Sequence, residues 1–349
     1  MKVGLVGFPG SGKTTVYNAL TGQRAETGYA GKGAGKTNLG VVKVPDPRID
    51  ALVALHKPRK TTFAECVFVD VAAPPGAGGR SLDPSAIAAM REVDALVQVV
   101  RVFPSAEGKA PDPIGELGDL ATELILGDLA PIEKRLERLK REKGKPGEVE
   151  LLTRLKAHLD EGGLLRDLVL AENDQQAISG YRFLTQKPLL VVLNVTEAAL
   201  TRPLAADIVK YLAEHKLTGI ALCGQLEMDV AELSPDEQKA FLADLGLHET
   251  AIGRFIRAAY AALELISFLT AGEDECRAWT IRRGTTAQRA AGKIHSDIER
   301  GFIRAEVMAF DEFMIHKSEA KMREAGRARL EGKEYVVRDG DIIHFRHAT

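Results

Sequence analysis

Short apolar runs recur along the chain, separated by longer stretches in which apolar residues fall three and four apart. The runs are Val3-Gly4-Leu5-Val6, which leads into a glycine-rich stretch, and Cys66-Val67-Phe68-Val69, Ala95 to Val100, Leu189 to Leu193 and Gly219-Ile220-Ala221-Leu222, which are β-branched and followed by polar residues. Runs this short and this apolar predict strands buried on both faces. Their alternation with helical stretches predicts an α/β fold, a mostly parallel sheet covered by helices on both sides. Ligand groups in such a sheet gather at the C-terminal ends of the strands.

Two regions depart from this rhythm. From Leu120 to about Arg166 the chain carries Leu124, Leu126, Leu129, Ile132, Leu136 and Leu139, then Leu151, Leu152, Leu155 and Leu159, among dense charges. That spacing predicts one apolar stripe per helix, and Lys143-Gly144-Lys145-Pro146-Gly147 supplies the break between two helices. The expectation is an antiparallel helical hairpin inserted in the sheet domain, its outer charges read as solvated surface or, alternatively, as a grip for a partner. From about Leu265, Trp279 to Arg282, Val336-Val337 and Ile342 to Phe345 read as strands, Asp339-Gly340 as a tight turn between the last two, and Ser318 to Leu330 as a helix. The predicted organisation is a sheet domain over 1–119 and 186–264, a helical insert over 120–185, and a small α+β module over 265–349.

The first strand leads into the most informative motif. Gly7, Phe8, Pro9, Gly10, Ser11, Gly12, Lys13 and Thr14 form a complete G-x-x-x-x-G-K-[ST] loop, and Thr15 onward continues as helix. Glycines let consecutive backbone N–H groups turn toward one point and cradle a polyphosphate. Lys13 is expected to reach the β and γ phosphates, and the Thr14 hydroxyl to join the shell of a bridging Mg2+. Asp70, which closes the second apolar run, is the expected second anchor for that ion.

Asn194-Val195-Thr196-Glu197 follows the Leu189 run and resembles, in altered form, the N-K-x-D segment with which guanine-nucleotide switches read their base. Glu197 stands where Asp would accept two hydrogen bonds from guanine, and its extra methylene displaces the carboxylate. A buried unmatched polar group costs about 1–3 kcal/mol, enough to weaken guanine preference by one or two decades. Val195 replaces the Lys whose stem would cover the base. The pattern leans toward adenine, although Glu197 can also be read as a cap for the next helix. Cys223 and Gly224, after the Gly219 run, stand where the resemblance to such switches places the last base-contacting loop, whose small residues let backbone approach the base.

Composition narrows the setting. The 349-residue chain has a formal net charge of -2 at pH 7, so bulk attraction to DNA or to membranes is not expected. Three dispersed cysteines, Cys66, Cys223 and Cys276, fit reduced thiols better than a disulfide framework or a zinc site. No apolar run reaches membrane-spanning length, and Met1-Lys2 leads directly into a strand, so a cytoplasmic protein is expected.

The chain as a whole resembles the YchF-type, Obg-related ATPases. The resemblance is carried by the opening loop, by Asn38 to Arg48, by Asn194 to Glu197, and most specifically by Ala278 to Ile281 through Ala290 to Glu306. It implies a P-loop G domain, an inserted coiled-coil hairpin and a C-terminal ubiquitin-like TGS domain. It also implies Mg2+-dependent hydrolysis of ATP in preference to GTP, and association with the ribosome, on its large subunit, with RNA contact through the hairpin or the TGS domain. Departures from the family pattern fall where hydrolysis is controlled. The glycine whose N–H would meet the γ phosphate is Ala73, followed by Pro74 and Pro75. Thr37 is the only threonine near the expected metal ligand of the first switch. No His occurs in the Pro104 to Pro113 loop, where the family carries one proposed to act in water attack. Binding is therefore expected with slow turnover. A GTPase of the same architecture and a hydrolysis-deficient, nucleotide-gated ribosome or RNA adaptor stand as alternatives. A small-molecule kinase is disfavoured, since the chain has no Arg-rich lid.

Overall fold

A computed structural model describes residues 2–23, 25, 38–71, 82–105, 107–142, 146–246 and 250–348. The chain forms two compact units, Met1–Val42 with Val67–Ala258, and Lys43–Cys66 with Ala259–Thr349. The described strands are β1 (Lys2–Val6), β2 (Asn38–Lys43), β3 (Lys60–Thr62), β4 (Glu65–Asp70), β5 (Ala95–Arg101), β6 (Leu189–Asn194), β7 (Thr218–Leu222), β8 (Leu265–Thr270), β9 (Glu275–Arg282), β10 (Phe302–Ala309), β11 (Arg329–Glu331) and β12 (Asp341–His347).

The first unit carries a six-stranded sheet in the order β2-β4-β1-β5-β6-β7. β1 pairs in parallel with β4 and β5, β5 with β6, and β6 with β7. All five apolar runs are strands of this sheet, and β5 is buried at six of its seven positions, as a strand covered on both faces must be. The register sets Leu5 beside Asp70 and Val6 beside Gln98, so the ends of β4 and β5 flank the point where β1 runs into its loop.

The first five helices are α1 (Lys13–Thr21), α2 (Pro47–His56), α3 (Pro84–Arg91), α4 (Pro113–Glu142) and α5 (Pro146–Asp160). α4 has 30 residues, about 45 Å of helix, and packs stripe to stripe on α5 through Ile132, Leu139, Leu151, Leu152, Leu155 and Leu159. Arg135 clamps the pair, its Nε and Nη2 donating to the Glu148 carboxylate at 2.7 and 3.1 Å. Leu126, expected in the stripe, is instead 54% exposed. It lies two residues after Leu124, roughly 200° around the helix, and so faces away from the apolar seam.

The insert is tied back to the sheet by Asp128 of α4, which is fully buried. Its carboxylate accepts from the Leu184 and Thr185 backbone N–H groups and the Thr185 hydroxyl at 2.8–2.9 Å, and pairs with Arg91 at 3.3 Å. These bonds fix where the chain re-enters the sheet just before β6.

The second unit has its own six-stranded sheet, β11-β10-β12-β8-β9-β3. β10 pairs antiparallel with β11 and β12, and β8 with β9, while the β12–β8 and β3–β9 pairs are parallel. Its core joins Ile266, Phe268, Ile281, Val307, Ile343 and Phe345 to Ala287, Ala290 and Ala291 of one helix. Two expectations are corrected here. The Ser318 to Leu330 stretch is helical only over Glu319–Glu324, because Gly326 takes φ 65° and stops it, and the chain then forms β11. Val336-Val337 is not a strand: Val336 makes one isolated bridge to Thr286, and Asp341 bends the segment by accepting from Arg338 N and Tyr335 Oη at 2.8 Å. Asp339 and Gly340 do form a turn, with Asp339 Oδ1 accepting from Ser267 N at 2.8 Å.

Candidate functional site

β1 delivers the Gly7 to Thr14 loop at the C-terminal edge of the first sheet. Gly10 and Gly12 both adopt left-handed backbone, φ 81° and 80°, which residues with a Cβ reach only at a cost of about 1–2 kcal/mol. The loop is closed by Ser11 N donating to Phe8 O at 3.1 Å, and α1 starts at once, Val16 N donating to Gly12 O at 2.9 Å. Among the described residues no side chain caps α1, and its first turn carries no acid. The N-terminal amides and the positive end of the helix dipole are therefore open to an anion.

The side chains at the mouth of the loop converge. Lys13 Nζ forms a short ion pair with Asp70 Oδ1, both side chains nearly buried. Thr14 Oγ1 and Asn38 Nδ2 each lie 3.5 Å from Asp70 Oδ2. Asp70 is 5% exposed, a low figure for a carboxylate, and the lysine opposite it offsets the desolvation of its charge. Ser11 Oγ is buried and has no partner among the described residues. Phe8 anchors the loop from below, buried with Val6, Val69, Leu82 and Met90, while Pro9 and Thr15 are half-buried and Gly10 is exposed.

Asn194, at the end of β6, braces the loop from the other side. Its Nδ2 donates to Ser11 O at 3.0 Å, and its Oδ1 accepts from Gly224 N at 3.1 Å. A Cβ on Gly12 would collide with the same carboxamide. Gly224 opens the helix Gly224–Ala231, and a Cβ there would press on Thr15 and Val16 at 3.3 Å, so that helix lies close against α1. Val195 is 4% exposed and packs with Val191, Leu193, Ile208 and Leu212. Glu197 is exposed at the start of a 3-10 turn, Glu197–Ala199, and Cys223 is buried against Leu226 and Val230. Thr37 and Ala73 lie outside the described residues.

The sequence-predicted residues that come together are thus Lys13, Thr14 and Asp70 on one side, and Ser11, Asn194 and Gly224 on the other. Asn38 joins the first group although its motif gave no hint of a role. The signal available was its place at the head of a strand, which matters only once β2 is known to neighbour β4.

A divalent metal is implied by such a site, and the donors fit one of the hard, oxygen-seeking kind. Thr14 and Asp70 offer a hydroxyl and a carboxylate within 3.5 Å of each other. Among the described residues no group of three or more His, Cys, Asp or Glu side chains could hold a metal ion. Two protein oxygens with the rest supplied by phosphate and water is the pattern by which Mg2+ is usually bound.

A parallel sheet whose first strand feeds a glycine loop and helix, with a carboxylate closing the neighbouring strand, defines a P-loop NTPase with a G-domain fold. Residues 2–154 match a family model described as 50S ribosome-binding GTPase, and residues 265–348 match YchF-GTPase_C, described as a protein of unknown function. The chain belongs to the YchF family. It is 41% identical over 357 residues to the ribosome-binding ATPase YchF of Pasteurella multocida, covering 99% of this chain and 98% of that one. It is 39% identical over 362 residues to the protein of that name from Bacillus subtilis, covering 99% of each. The solved YchF GTPase of Schizosaccharomyces pombe superposes with a TM-score of 0.86 at 30% identity, covering 99% of this chain and 97% of that one.

Proposed function

We propose that this protein is a Mg2+-dependent, ATP-preferring nucleotide switch that hydrolyses ATP slowly to ADP and phosphate and acts on ribosomes in the cytoplasm. The observation that carries the reading is the convergence of Lys13, Thr14 and Asp70 at the mouth of a loop whose helix amides are uncapped. Curated relatives that the chain covers over 98–99% of their length are named ribosome-binding ATPases, which supports both the nucleotide and the partner.

In this reading the amides of Gly10 to Thr15 bind the α and β phosphates, and Lys13 leaves Asp70 for the β and γ oxygens. Thr14 and Asp70 would hold the Mg2+, with Thr37 as the further candidate ligand, and the ion would supply positive charge against that of the phosphates. Asn194 keeps the loop and the Cys223-Gly224 segment in register beneath the base, with Val195 and Glu197 completing the base-reading stretch. The family resemblance assigns the backbone N–H of Ala73 to the γ phosphate. Turnover is slow because a rate gain needs an oriented water and charge stabilisation at the transferred group, and the Pro104 to Pro113 loop has no His to orient one. The nucleotide domain is assigned to 1–119 and 186–264, the coiled-coil hairpin to 120–185 and the TGS domain to 265–349. Ribosomal contact, on the large subunit, falls to the hairpin and the TGS domain.

Single-turnover hydrolysis with ATP and GTP in parallel tests this. ATP should be bound at least tenfold more tightly than GTP and converted slowly, and Lys13→Ala should weaken binding at least tenfold and abolish conversion. Preference for GTP would leave the architecture and overturn the base assignment, whereas binding without any conversion would make the protein a nucleotide-gated adaptor.

A further inference from the structure

The two oxygens of Asp70 are held in different ways. Oδ1 takes the Lys13 ammonium, and Oδ2 faces Thr14 Oγ1 and Asn38 Nδ2, each at 3.5 Å. Lys13 cannot stay there once a polyphosphate enters the loop, because its single ammonium is drawn to the larger negative charge. The Thr14 hydroxyl would then be a ligand for the metal. Of the three groups around the carboxylate, only the Asn38 amide has no second task. It is a neutral donor, so it orients a carboxylate without the repulsion that a cationic side chain would exert on a metal ion.

The backbone supports the same assignment. Asn38 is the first residue of β2, Asp70 the last of β4, and the two strands are neighbours in the sheet. Asn38 is half-buried and Asp70 almost wholly so, which keeps solvent from replacing the contact.

We propose that Asn38 is the positioning residue for Asp70, holding Oδ2 in place for the divalent cation when Lys13 transfers from Asp70 to phosphate. The proposal rests on the nucleotide reading above and adds to it a residue that acts on the metal half of the site and leaves the phosphate half untouched. It makes the Lys13–Asp70 pair a feature of the resting arrangement alone and the Asn38–Asp70 contact one that persists in the loaded arrangement.

The test is a titration of the full chain with a fluorescent ATP analogue, once in excess Mg2+ and once in EDTA, for wild type, Asn38→Ala and Asn38→Leu. The leucine variant keeps the volume of the side chain and removes its donor. Both variants should lose about tenfold in affinity with Mg2+, the size expected for a hydrogen bond to a charged group, and less than about twofold in EDTA. The half-saturating Mg2+ concentration should rise by a similar factor, and the melting temperature of the nucleotide-free protein should stay unchanged. Equal losses in both conditions would show Asn38 to be a structural support of the loop and overturn the proposal, as would no loss in either. Lys13→Ala separates this from the nucleotide reading, since it should weaken binding in EDTA as well. A wild-type protein that binds the analogue in neither condition would overturn both.

Discussion

Gly12 and Asn194 form a coupled pair whose energetics follow from the geometry of the loop. Asn194→Ala removes the acceptor of Gly224 N and the donor to Ser11 O, both in buried surroundings. Each buried group left unsatisfied costs about 1–3 kcal/mol, and a carbonyl with a second lone pair sits at the lower end, so the variant should lose about 2–4 kcal/mol. Gly12→Ala carries the cost of a left-handed alanine, about 1–2 kcal/mol, and drives its Cβ into the Asn194 carboxamide, adding about 1–3 kcal/mol of overpacking. In the double variant the collision disappears with the carboxamide. Only the backbone strain of the introduced alanine adds to the loss from Asn194, so the two changes should cost about 1–3 kcal/mol less together than their sum. Urea unfolding of the four proteins, followed by a probe in the first unit, measures the cycle, and amide exchange at Gly224 reports the broken bond directly. Strict additivity, or a Gly224 amide as protected in Asn194→Ala as in wild type, would refute the reasoning.

Two further outcomes follow from buried carboxylates away from the loop. In the second unit Arg323, with Arg346 beside it, holds the Glu306 carboxyl below its ordinary value of 4.5 against the opposing effect of burial. A depressed acid stabilises the folded state above its unfolded pKa and loses that contribution as pH falls through the folded one. The thermal stability of the second unit should thus fall as the pH drops below about 4.5, and Glu306→Gln should flatten that limb. A limb of unchanged steepness would refute the assignment. In the first unit Asp128→Ala strands the buried Leu184 and Thr185 N–H groups and removes one partner of Arg91, which keeps the Gly127, Tyr181 and Arg182 carbonyls, and should cost about 3–5 kcal/mol in urea unfolding, with Asp128→Asn losing less. Equal stability of Asp128→Ala and wild type would show that Asp128 does not hold the insert.

The strand-loop-helix of the site was legible because it is local. Val3 to Val6 is apolar, Gly7 to Gly12 permits left-handed backbone, and Thr14 onward favours helix, so neighbouring residues decide the outcome together. The same holds for the α4–α5 pair, whose leucine spacing states its own seam. Asn38 was not legible, since its contact with Asp70 spans 32 positions and depends on β2 lying next to β4. β3 was hidden for a similar reason. Lys60-Thr61-Thr62 is short and polar, without a periodic signal, and becomes a strand only by pairing with Glu275 to Arg277 of β9. In the second unit Val336-Val337 has the composition of a strand, yet its pairing stops at one bridge, in which Val337 N donates to Thr285 O, because Tyr335 and Arg338 on either side are tied to Asp341. Propensity gave way there to specific tertiary bonds.

Calorimetric titration of the folded, full-length chain with ATP in the presence of Mg2+ bears most directly on the claim that the Gly7 to Thr14 loop binds a purine triphosphate. The account predicts saturable heat from a single site, weakened at least tenfold by Lys13→Ala and reduced for GTP. A folded sample that gives no heat with ATP or with GTP at millimolar concentration would contradict it.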